Sequence, residues 1–245
     1  MRCPINIEDV KVNIECPGDI IPTIFQHQKE LMVKYEPIER KNGIDVPDLP
    51  GSLDDRRVQY RLKDFFWRFT EELCEAAEEF MLHPNSFRGL INWEKEWVGN
   101  TAVQHFFEEI VDALHFLTEA SIIADMNPEE IEVYLRDALR ASPQDGTILM
   151  NVHRSSDHPG TLLHSADRLF FGTIRSVGLA ANCLKNKPWK VSEMATDIPK
   201  FKSILLDAWI EFFKMWAALG GSAKMLYILY AKKKLVNQWR QETKY

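Results

Sequence analysis

Along most of the chain apolar residues recur at steps of three and four, and no long stretch alternates apolar with polar. That period belongs to helices with one buried stripe rather than to strands. From about Asp55 to Met81 the stripe is Phe66, Phe69, Leu73, Ala77 and Phe80, and His83-Pro84-Asn85 ends it. Cys74 falls inside this pattern and reads as a buried reduced thiol. A second long helix is expected over about 101–125, burying Phe107, Ile110, Leu114 and Leu117, with Thr101 as its N-cap. Asn127-Pro128-Glu129-Glu130 restarts the chain as helix: an amide cap, proline in the first turn, then acids at the positive end of the dipole. Further helices are expected from near Thr23 to about Tyr35, and over 162–184, 197–219 and 222–241, the last after the break Gly220-Gly221-Ser222. Residues 1–20 read as irregular. Residues 37–54 carry Pro37, Gly43, Pro47, Pro50 and Gly51, a loop composition, and 142–160 read as an exposed polar loop. The expectation is an all-α helical bundle, one domain over 1–245 with a long insertion at about 135–205.

Composition narrows the function classes. Of 245 residues, 45% are apolar and 27% charged, the balance of an ordinary soluble domain. A net charge of −6 argues against a nucleic-acid binder, which needs a basic face, but not against a small anionic substrate attracted through a cation. The four cysteines have no paired spacing, so neither a zinc site nor a disulfide framework is expected. The first twenty residues lack a basic start followed by an apolar core. The most apolar region, Ile204 to Ala231, is interrupted by Asp207, Glu211, Lys214 and Lys224, which excludes a membrane span. A cytoplasmic protein is expected.

The candidate chemistry sits on two acidic stretches, Glu71-Glu72-Leu73-Cys74-Glu75 and Glu109-Ile110-Val111-Asp112. Residues three apart share a helix face, so each helix offers two neighbouring carboxylates beside an apolar stripe. If the two helices pack antiparallel, four carboxylates converge next to a core. Such an oxygen-rich cluster suits hard cations such as Mg²⁺, which also bind substrate phosphates, and two ions would activate a phosphoryl group and a water. Isolated acids on helices mostly form solvated faces, and Glu78, Glu79 and Glu108 read that way. A di-iron bundle would need Glu-x-x-His twice, and the chain offers a single near-match at Asp112 to His115. No His-Asp dipeptide is present to build a metal phosphohydrolase of that type.

The last helix carries Lys233, Asn237 and Arg240 at steps of four and three, a stripe of donors suited to a phosphate tail. Upstream, Trp209, Phe212, Phe213 and Trp216 cluster in sequence near Tyr227 and Tyr230, more apolar surface than one short bundle covers. Large apolar patches mark interfaces, and a two-fold homodimer is the expected answer.

Taken together, the segments resemble the all-α dimeric dUTPases and dCTPase-dUTPases of trypanosomatids and T-even-type phages, within the MazG-like pyrophosphatase superfamily. Glu71 to Glu75 looks like the EExxE element. Glu109-Ile110-Val111-Asp112-Ala113-Leu114-His115-Phe116 looks like ELVDxxHF, and Lys233 through Asn237, Arg240-Gln241 and Tyr245 resembles the closing KxxxNxxRQxxGY. The resemblance implies cleavage between the α and β phosphates, a requirement for Mg²⁺ with two or more ions, and a homodimer. It implies Glu72, Glu75, Glu109 and Asp112 as metal ligands. It makes Lys233, Asn237, Arg240 and Tyr245 substrate contacts, with His115, Gln28 and Trp93 (or Trp97) near the base. The chain departs from the pattern at Met32, where an amide is usual, and at Lys244, where glycine is usual; the loop between the acidic pairs is also long. The expected substrate is dUTP first and dCTP second. The alternatives are another or modified deoxynucleoside triphosphate, or a helical interaction module that has lost its chemistry.

Overall fold

The computed structural model of the chain describes residue 7 and residues 10–83, 100–139, 159–187, 189–219 and 221–243. Trp93, Trp97 and Tyr245, together with most of the 142–160 loop, lie outside these residues. Within them the chain forms helices and no strand: α1 (Ile20–Lys41), α2 (Arg56–Leu82), α3 (Thr101–Ile123), α4 (Pro128–Leu139), α5 (Pro159–Cys183), α6 (Ile198–Ala218) and α7 (Ala223–Glu242). The all-α expectation holds.

Side-chain caps start five of them. Asp55 accepts from the Arg57 amide at 2.8 Å, Asn100 from Val103 at 3.3 Å, Asp197 from Lys200 at 3.1 Å and Ser222 from Met225 at 3.2 Å. Each such bond satisfies an amide that the helix itself leaves open, worth about 1 kcal/mol. The cap of α3 is therefore Asn100, one residue before the expected Thr101. Asn127 Oδ1 accepts from the Glu130 amide at 2.9 Å, the restart its sequence announces.

Helix α1 is longer than its pattern suggests and carries Pro37 inside it. Side chains of its last turns are anchored: Arg40 pairs with Glu36 at 2.8 Å, and Glu39 pairs with Arg61 of α2. Cys74 is exposed rather than buried. It lies one step off the core stripe, on a face shared with Tyr60, Trp67 and Met81 at intervals of seven, each more than 60% exposed.

The centre of the bundle is the pair α2 and α3. Phe65 lies 6.2 Å from Phe116 and Phe80 lies 6.0 Å from Phe106, so one chain ascends as the other descends: the helices are antiparallel. Helix α1 and helix α7 pack against α3 and against each other, and α5 packs on α6 and α2. The aromatic group expected to mark an interface is internal core. Trp209, Phe212, Phe213, Trp216 and Tyr230 are at most 2% exposed within one chain. Trp209 stacks at 5.9 Å on Phe25, Phe212 sits 6.2 Å from Phe69, and Trp216 meets Phe107 edge-on at 5.4 Å. Helices α1, α2 and α3 cover these residues, so they offer no apolar surface to a second copy.

Buried amides tie the segment before α2 to the segment after α5. Gln59 donates to the Leu53 carbonyl at 2.8 Å and accepts from the Asn186 amide at 2.8 Å. Asn186 Nδ2 donates to the carbonyls of Asp54 and Met194. These bonds fix the base of the proline-rich loop 42–55, whose residues Val46 to Pro50 wall the main cavity.

Candidate active site

A cavity of about 700 Å³ opens between α1, α2, α3, α7 and that loop. Its lining includes Gln28 from α1, Arg61, Phe65, Arg68 and Glu72 from α2, Asp112, His115, Phe116 and Glu119 from α3, and Asn237 and Arg240 from α7. Chemistry separates along it into an acidic end and a hydrogen-bonded end.

At the acidic end Glu72, Glu109 and Asp112 each offer an oxygen, and these atoms lie within 4.8 Å of one another. Antiparallel packing puts the Glu72 turn of α2 opposite the i, i+3 pair of α3. Burial, with Asp112 nearby, pushes Glu72 up to about 9 and Glu109 to about 7. The two carboxyls lie close enough to interact directly, and their burial beside Asp112 favours a proton on the pair. Burial also raises Asp112, against the pull of Lys233. The Lys233 ammonium is almost wholly buried and sits 2.6 Å from both Glu108 and Asp112, which hold it above its ordinary range. Glu108 is therefore an ion-pair partner and not the solvated acid its position suggests. Glu75 is exposed, one turn along α2, and is not brought into the trio.

These residues fit a hard divalent cation. One lysine is shared by Glu108 and Asp112, while Glu72 and Glu109 have no cation within ion-pair distance among the described residues. Desolvated carboxylates in that state raise their pKa values and take up protons, unless a cation replaces the proton.

At the other end all but one of the polar side-chain atoms described below are bonded to one another. Gln28, with no exposed surface, donates from Nε2 to Glu119 Oε1 at 2.7 Å. Its Oε1 meets Tyr230 Oη at 2.5 Å and His115 Nδ1 at 2.6 Å. The His115 ring stacks on Tyr230 with centroids 4.1 Å apart. Its Nε2 is buried and has no partner. Burial, with Lys233 and Lys234 nearby, lowers His115 to about 3, so the ring is neutral. Burial lifts Glu119 to about 7, against the opposing pull of Arg61. The wall between the two ends is cationic and aromatic: Arg61 lies 4.2 Å over Phe65 and Arg68 5.8 Å over Phe116.

Of the residues singled out from sequence, Gln28, Glu72, Asp112, His115, Asn237 and Arg240 line this one cavity, and Glu109 adjoins it. Lys233 stands behind Asp112 instead of facing the opening. Sequence reasoning missed Glu119, Arg61, Arg68 and the loop wall. Glu119 did carry a signal, as a lone acid in an apolar run, four residues after His115 and so on its face.

Residues 22–245 match the model of a family described as dUTPase. No curated protein and no solved structure matches the chain.

Proposed function

The chain belongs to the dUTPase family, and from that premise we propose that it hydrolyses dUTP, and dCTP less readily, to the monophosphate and pyrophosphate with Mg²⁺. The observation that carries the reading is the pairing, in one cavity, of a three-carboxylate cluster with a separate hydrogen-bonding end.

In this reading Glu72, Glu109 and Asp112 hold the metal, with Glu75 close enough to add negative charge. When bound, magnesium polarises the phosphoryl group and makes water a nucleophile. The chain's own residues do the rest. Loss of the shared proton leaves Glu72 and Glu109 both anionic, the state that favours the cation. Lys233 pairs with Asp112 at 2.6 Å and orients it before substrate arrives. Asn237 and Arg240, three apart on α7, supply a neutral donor and a guanidinium for phosphate oxygens. Phe65 and Phe116 offer apolar walls, and His115, oriented by the buried Gln28, recognises the base. Trp93 and Tyr245 remain candidate contacts.

Two further parts complete the reading: a single domain, expected from the helical pattern, and a homodimer, implied by the resemblance. The exposed α2 face of Tyr60, Trp67 and Met81 is an apolar surface that a second copy can cover. None of the described helices is long and apolar enough to cross a membrane; action in the cytoplasm is part of the same proposal.

The test is pyrophosphate release from a panel of ribo- and deoxynucleoside triphosphates, with Mg²⁺ and with EDTA. The reading expects dUTP to lead, dCTP to follow and EDTA to abolish both. A panel flat in Mg²⁺ would favour the interaction module.

A further inference from the structure

The hydrogen-bonded end of the cavity contains more order than a packed core requires. Gln28 is an amide whose two ends could be exchanged without changing its shape, and its partners decide which end faces which way. A Glu119 oxygen turned toward Gln28 accepts, whether that carboxyl is ionised or carries a proton on its other oxygen. The amide nitrogen must therefore face Glu119, as the 2.7 Å bond shows. The carbonyl oxygen is left for Tyr230 and His115. Tyr230 has one proton and can direct it to Gln28 Oε1 at 2.5 Å, with the Ile24 carbonyl farther away at 3.3 Å. An oxygen that only accepts then requires His115 Nδ1 to carry the proton. Because the ring is neutral, Nε2 holds a lone pair. Nε2 is the one polar atom of this 96%-buried, cavity-lining side chain without a protein partner, since its exposure is 4%.

We propose that Glu119 is a positioning residue for base selection: through Gln28 it fixes the His115 tautomer, so that a base seated against the His115 ring meets an acceptor, which favours a pyrimidine with N3–H over one whose N3 is a lone pair. The selected class is the 4-keto pyrimidines, uracil with it, over the 4-amino pyrimidine cytosine. The inference rests on the substrate reading above and gives it a mechanism. A base with N3–H satisfies Nε2, whereas cytosine sets two lone pairs against each other in a desolvated place, the kind of mismatch that discriminates most strongly.

Glu119→Gln exposes the logic. A glutamine there can turn its NH₂ toward Gln28, which then reverses, donates to His115 Nδ1 and moves the ring proton to Nε2. The cavity would then present a donor, which suits cytosine. Two readouts test this. The first is the side-chain ¹⁵N spectrum of His115 in ligand-free protein, assigned by its loss in His115→Asn. Wild type is expected to show protonation at Nδ1, and Glu119→Gln a shift toward Nε2. The second is kcat/KM for dUTP against dCTP, a ratio expected to fall at least about tenfold in Glu119→Gln. A wild-type ring protonated at Nε2 overturns the proposal even if the variant does not fold. So does an unchanged ratio in a folded Glu119→Gln, or an equal loss on both nucleotides, which is the mark of a merely structural role. A flat nucleotide panel from wild type would instead overturn the substrate reading, and it is seen separately because the tautomer is read without nucleotide.

Discussion

Replacing Lys233 with methionine keeps most of the side-chain volume and removes one charge at the most congested point of the molecule. The ammonium is 5% exposed and bonds Glu108 and Asp112 at 2.6 Å each. Without it, Asp112 is a buried carboxylate with no cation at bonding distance among the described residues. Removing one partner of a buried pair typically costs about 3–5 kcal/mol. A ceiling follows from the alternative open to Asp112, which can take up a proton. At pH 7.5 that costs about 1.4 kcal/mol for each of the roughly 3.6 units above the ordinary aspartate value, or about 5 kcal/mol. The expected loss in EDTA is thus about 3–5 kcal/mol. The assay is urea unfolding of wild type, Lys233→Met, Asp112→Asn and the double variant. Because the cost is an orphaned charge, the double variant should recover at least about 2 kcal/mol relative to the sum of the singles. Added Mg²⁺ should stabilise Lys233→Met, since a cation replaces the one removed. A Lys233→Met loss under about 1 kcal/mol, or strict additivity in the cycle, would refute the claim that this lysine neutralises the site.

Four further outcomes are expected. Glu72→Gln, Glu109→Gln and Asp112→Asn should each lower turnover by orders of magnitude with helix content intact by circular dichroism; near-normal rates in all three would dismiss the ligand assignment. Arg240→Lys keeps the charge but loses the forked geometry, so turnover should drop by about two orders of magnitude on every triphosphate; wild-type kinetics would reject the phosphate contact. A methyl group at Gly221 would come within 2.2 Å of the buried Trp216 ring, so Gly221→Ala should destabilise by about 1–3 kcal/mol in denaturant; an unchanged midpoint would mean that the α6–α7 turn relaxes freely. His115 is lowered to about 3 from 6.5, so its contribution to stability is complete above pH 6.5 and is lost as pH falls toward 3. Acidification should therefore cost wild type up to about 1.4 kcal/mol per pH unit more than His115→Asn; parallel curves would show that the ring titrates normally.

The helices were legible because their signals are local. Stripes at steps of three and four, Asp55, Asn127 and Ser222 at starts, and the Gly220-Gly221 break all act within a turn or two. Most of the errors share one cause, long-range partners; Cys74 is the local exception. Helix α1 runs past Tyr35 and Pro37 to Lys41, with Glu39 held by Arg61, twenty-two residues away. Cys74 looked buried by proximity to Leu73, but one residue turns a helix by about 100° and carried it onto the exposed Trp67 face. Trp209 and Trp216 looked like surplus apolar surface because the rings that cover them, Phe25 and Phe107, come from distant helices. At the site, the spacing of Glu109 and Asp112 was readable on one helix. The ion pair of Lys233 with Glu108 was not, because it joins α7 to α3 across 125 residues.

The arrangement of α3 gives a reason why base preference can vary while the acidic cluster stays. Glu109, Asp112, His115 and Glu119 follow at steps of three, three and four, so they occupy one side of the helix over about 15 Å of its axis. Helix α7 runs against it, with Lys233 beside Asp112 and, one turn earlier, Tyr230 beside His115. Two antiparallel helices thus place the carboxylates and the hydrogen-bonded chain at separations set by backbone rise, which a side-chain substitution does not alter. Residues that contact one end can be exchanged without shifting the other. Met32 lies on α1 and lines the cavity, whereas the carboxylate trio belongs to α2 and α3. A change at Met32, Gln28 or Glu119 should therefore move selectivity between nucleotides, and a change at Glu72, Glu109 or Asp112 should move the rate on all of them together.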